Sequence, residues 1–168
     1  RSAKKDSCSY YILSDVQWSG EWVWEHLAPH ILEYLTNSEP KNFDQLCQLI
    51  SILQRSTISD STLAELARSK LSKLRRPKHL AAWFSVLVGT SPSEGITKLT
   101  QYLERKTDEQ ASELVMRFLV NLMGKLRSPG LSARKSYLQS DTLKSLYFLV
   151  IRFIRFEDDI NRAGRGAY

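Results

Sequence analysis

Apolar side chains recur every three or four positions along most of this chain, and nowhere do apolar and polar residues alternate for long enough to make a sheet strand. That spacing lays an apolar stripe along one side of an α-helix, whereas a half-buried strand needs alternation. It restricts the chain to helices packed stripe against stripe. Only 7 glycines and 5 prolines interrupt 168 residues, and they fall at the boundaries between periodic runs.

The runs define the elements. A first helix is expected over 20–36, with Trp24, Leu27, Ile31, Tyr34 and Leu35 at helical spacing and Pro29 set to kink or split it. A second is expected over 43–55, with Leu46, Leu49, Ile50 and Leu53 on one face. The third opens at the polar cluster Ser59-Asp60-Ser61-Thr62, suited to capping free N–H groups, and stops before Pro77. The fourth starts at that proline, is apolar nearly all round over 80–88, and ends at Gly89; it should be the most buried. Ser91-Pro92-Ser93-Glu94 reads as a serine cap, a proline in the first turn and an acid behind it. Thr107-Asp108-Glu109-Gln110 opens a sixth helix that is expected to end at Gly124. A basic, irregular stretch follows over 125–135, then a last helix over 141–156.

Helices of this length on short loops pack as antiparallel hairpins. The expected fold is therefore all-α, about seven or eight helices, stacked as an α-solenoid-like array of the HEAT or TPR kind or gathered into an irregular bundle. Residues 1–19 form a Trp- and Tyr-rich lead-in, 20–160 a single helical-repeat domain, and 161–168 a turn leading into further chain. Both ends are expected to be cuts from a longer protein: the start has no Met and no apolar core behind it, so it is no signal peptide. The longest apolar run, 146–151, is far shorter than a membrane helix needs, and the two distant cysteines, Cys8 and Cys47, fit a cytoplasmic protein.

Candidate chemistry is thin. His26 and His30 stand four apart on one helix with nothing to complete a metal site, and they read as ordinary histidines. Consecutive Glu157, Asp158 and Asp159 point in different directions, so they read as the termination of a helix. There is no phosphate-loop glycine pattern, so no nucleotide cofactor and no small-molecule substrate is implied. Trp18, Trp22 and Trp24 crowd seven residues; they either pack on the first hairpin or a neighbouring domain, or present a partner surface.

Charge supplies the other candidate. With 24 basic and 18 acidic side chains the chain carries +6. Arg68, Lys70, Lys73, Arg75, Arg76, Lys78 and His79 form a run without an acid, and Lys125, Arg127, Arg134 and Lys135 a second. On one surface these would hold nucleic-acid phosphates, although cations at a helix C-terminal end are favoured for the dipole alone.

Two stretches carry a resemblance: Trp83-Phe84-Ser85-Val86-Leu87-Val88 with Ser91-Pro92-Ser93-Glu94-Gly95-Ile96 and Leu99, and the final 146–168, closing on Glu157-Asp158-Asp159-Ile160, Arg162 and Gly164. Over about 80–168 the chain resembles the helical-repeat region of large bacterial NACHT or STAND-type multidomain NTPases. That resemblance implies a non-catalytic sensor or scaffold in defence or signalling, with the ATP site elsewhere. The matched positions are structural, so no site residue transfers. The expected work is binding to a protein or to another domain of the same chain, with nucleic-acid binding through the basic runs as the alternative.

Overall fold

A computed structural model describes residues 20–126, 144–149 and 151–152. Six helices are bounded in full: α1 (Glu21–Asn37), α2 (Phe43–Arg55), α3 (Asp60–Lys73), α4 (Pro77–Thr90), α5 (Pro92–Leu103) and α6 (Asp108–Leu126). Residues 144–149 and 151–152 are helical too, and no strand occurs among the described residues. The all-α expectation is met.

Local chemistry starts most helices where expected. Asn42 accepts the N–H of Asp44 to open α2, and Ser59 accepts the N–H of Thr62 to open α3. Pro77 and Pro92 occupy the first turns of α4 and α5, where a missing N–H costs nothing. Four expectations need correction. Pro29 does not split α1, which runs unbroken from Glu21 to Asn37 with the proline on its exposed side. Gly89 does not end α4: its φ is negative and the helix continues to Thr90. Ser91 makes no cap through its side chain; its Oγ donates to the Glu94 carboxylate at 3.3 Å. Gly124 does not stop α6, which runs on to Leu126.

The substantial packing is between helices one or two apart in the chain: α1 on α2, and α4 on α2, α3, α5 and α6. The centre is α4, every residue of which from His79 to Val88 is buried. Its two sides serve two cores. Ala82, Trp83, Val86 and Leu87 pack with α1, α2 and α3, around Leu35, Leu46, Leu53 and Leu63. Leu80, Ala81, Phe84 and Val88 pack with α5, α6 and Leu146, around Leu99, Leu114 and Phe118. Leu71 and Leu74 touch both cores. A helix apolar nearly all round can be shared between two cores in this way. Helix α5 approaches α4 closely at Gly95, where an added Cβ would lie 2.6 Å from the Val88 amide nitrogen.

Candidate functional site

The loop joining α1 to α2 brings polar groups into the core. Glu39, whose side chain is 12% exposed, accepts from His79 Nδ1 at 2.7 Å and from Trp83 Nε1 at 3.2 Å with the same oxygen, Oε1. One turn separates the two donors on α4, so a single carboxylate reaches both. Beside it, Lys70 from α3 is 8% exposed and donates through Nζ to the Ser38 carbonyl at 2.8 Å. Burial lowers the Lys70 ammonium pKa, with Lys73 acting in the same direction and Glu39 partly offsetting both. These bonds staple the α1–α2 loop onto α3 and α4, satisfying groups that would be costly if left alone in the core.

A second polar tie crosses α4. Arg68 on α3 meets Glu94 on α5 as a fork: Nε to Oε1 and Nη2 to Oε2, both at 2.8 Å. Lys98 adds 3.2 Å to Oε1. The Arg68 bonds hold the Glu94 carboxyl at about 2, well below the usual carboxylate range, with Lys98 adding to the effect and burial opposing it. In turn Glu94 pushes the Arg68 guanidinium pKa up, chiefly through that bond.

The first basic run is therefore divided by the fold. Arg68 and Lys70 are turned to internal partners, and His79 is 4% exposed. Lys73, Arg75, Arg76 and Lys78 are exposed. Two of these, Arg76 and Lys78, meet cations from elsewhere in a cleft of about 580 Å³. Its walls are Lys41, Asn42, Phe43 and Asp44 at the entry to α2, Arg76, Pro77, Lys78 and His79 at the start of α4, and Glu113 and Arg117 on α6. The Phe43 ring forms an apolar wall, with the Arg117 guanidinium 5.9 Å from its centroid and the His79 ring at 6.2 Å. Arg117 Nε also lies 3.1 Å from Glu113 Oε1. Sequence reading missed this cleft because Lys41 and Arg117 lie far along the chain from the run they join.

The other candidates fall as follows. Trp24 is half-buried against the first core, with the Arg55 guanidinium 5.3 Å from its ring centroid. Trp22 lies within α1, and Trp18, Cys8, Arg127, Arg134, Lys135 and 157–159 lie outside the described residues. His26 and His30 are exposed on α1, and Cys47 is half-buried against the first core. Large apolar side chains are exposed at Tyr34, Met116, Val120, Tyr147 and Phe148. Among the described residues no three His, Cys, Asp or Glu side chains gather as a metal site, and no helix is long and apolar enough to cross a membrane. Comparison with family models, curated proteins and solved structures finds no match to this chain.

Proposed function

We propose that this chain is a non-catalytic interaction segment, a repeat-like stack of helical hairpins that presents a surface to a protein partner or to another domain of its own polypeptide. The observation that carries the reading is on α6. Met116 and Val120, one turn apart, are 39% and 67% exposed while their neighbours Leu114, Val115 and Phe118 fill the second core. One helix thus has an inward apolar face and an outward apolar pair, and Tyr147 and Phe148 are exposed apolar side chains as well. Stacked hairpins offer extended surfaces of this kind.

The resemblance to the helical-repeat region of NACHT or STAND-type NTPases supports the same reading. It rests on fold-making residues: Trp83 is fully buried and Pro92 opens α5. Such a lineage would supply a scaffold and leave ATP binding to other parts of the protein. The test is a photo-crosslinking side chain at position 120, with Thr97, exposed on α5, as the reference position. The reading expects a defined crosslinked peptide from position 120 that disappears in Met116→Asp. It is sunk if positions 97 and 120 give the same diffuse products.

A further inference from the structure

We propose that the cleft between the α2 entry, the start of α4 and α6 binds a phosphate monoester. Three separate elements deliver cations to it: Lys41, Arg76 with Lys78, and Arg117. They face two carboxylates, of which Glu113 is already held by Arg117 at 3.1 Å, while Asp44 lies in the first turn of α2. Lys41, Arg76 and Lys78 have no carboxylate within ion-pair distance among the described residues. Like charges converging in a concavity repel one another, and an anion in the cleft relieves that repulsion.

The backbone points the same way. Helix α4 begins with no side-chain cap and no acid in its first turn; Arg76 is its N-cap residue, and Lys78 and His79 follow Pro77 in the first turn. Cations there oppose the helix dipole, while an anion completes both the dipole and the uncapped N–H groups. A monoester carries roughly −1.5 to −2 charges and three acceptor oxygens on one small group, which suits several donors lining one cleft. A nucleic-acid backbone needs cations tracking successive phosphates. Here the preceding part of the run, Arg68 and Lys70, is turned to internal partners. The cleft takes a single compact dianion, either a phosphorylated side chain of a partner or a free phosphate compound. This inference stands apart from the proposed partner surface, which involves different side chains.

The experiment titrates the full chain with N-acetyl-phosphoserine amide, inorganic phosphate and a short single-stranded oligonucleotide at fixed ionic strength. Binding is read by calorimetry and by amide chemical shifts. The proposal expects one saturable phosphate site, weakened about tenfold in Arg76→Ala and about a hundredfold in Lys78→Glu, which removes a cation and adds an anion. The Arg105→Ala plus Lys106→Ala control, which removes exposed charges away from the cleft, changes affinity less than about twofold. Lys78→Glu also keeps or raises Tm, because it supplies the missing first-turn acid, so its loss of binding is not loss of fold. Should that variant not fold, Arg76→Ala alone decides. Tighter binding of the phosphoserine compound assigns the site to a modified partner side chain, and equal binding to a free anion; both support the proposal. It is overturned by no saturable binding of either phosphate compound, by unchanged affinity in Arg76→Ala, by equal loss in the control, or by an oligonucleotide that binds more tightly than phosphoserine.

Discussion

Two glycines in consecutive elements show how differently one residue type is held. Gly95 lies on α5 against α4, where a new Cβ would sit 2.6 Å from Val88 N and 2.8 Å from its Cα. Those are backbone atoms and cannot rotate away. Gly95→Ala must therefore push α5 outward and open the second core, and is expected to lower stability by about 1–3 kcal/mol. Gly89 has open space around it and a negative φ within α4. Gly89→Ala is expected to raise stability by about 0.4–1 kcal/mol, by restricting the unfolded chain. Denaturant titration of the pair checks both signs. Equal effects would mean that the α4–α5 approach is looser than described. Gly89 reads as helix punctuation in the sequence, yet it is Gly95, inside a helix, that acts as a spacer.

Elements are held to one another by a polar tie at Glu94 as well as by apolar contact. Its carboxylate receives Arg68 from α3, Lys98 from its own helix and the Ser91 hydroxyl. Because its folded-state pKa is depressed from 4.5 to about 2, the ionised form is favoured by folding. The associated stability is present above pH 4.5 and is lost as pH falls through that window toward about 2. Glu94→Gln is expected to lower Tm at neutral pH and to flatten the Tm profile between those values. Thermal melts of the two proteins against pH measure this, and parallel profiles would dismiss the tie. A serine, a proline and an acid at 91, 92 and 94 are legible as a helix start. That the acid would instead reach across to α3 is not, because Arg68 is 26 residues away and only folding sets them side by side.

For the whole molecule the deciding object is α4. The first core uses its Trp83 side and the second its Phe84 side, so both depend on one helix. The amides of Trp83, Phe84 and Leu87 are accordingly expected to exchange hydrogen only through global unfolding, and those of α1, which packs chiefly on α2, through smaller openings. Native-state hydrogen exchange resolves this. Exchange in α4 as fast as in α1 would mean that the two cores open independently.

The helical period, the proline and polar starts and the nearly all-apolar run at 80–88 were determined by the sequence alone, because helix formation and capping act over a few residues. Direction and company were decided by tertiary structure. Lys70 and His79 read as members of a solvated basic run, and folding buries both against the loop at Ser38 and Glu39, more than 30 residues away. Lys41 and Arg117 carry no local signal that they belong with Arg76 and Lys78. Charge interactions depend on distance in space and on exclusion of water, and neither is set by spacing along a chain. The sequence therefore determined the helices and the basic excess, and the packing around α4 decided which cations are internal fasteners and which four converge on one cleft.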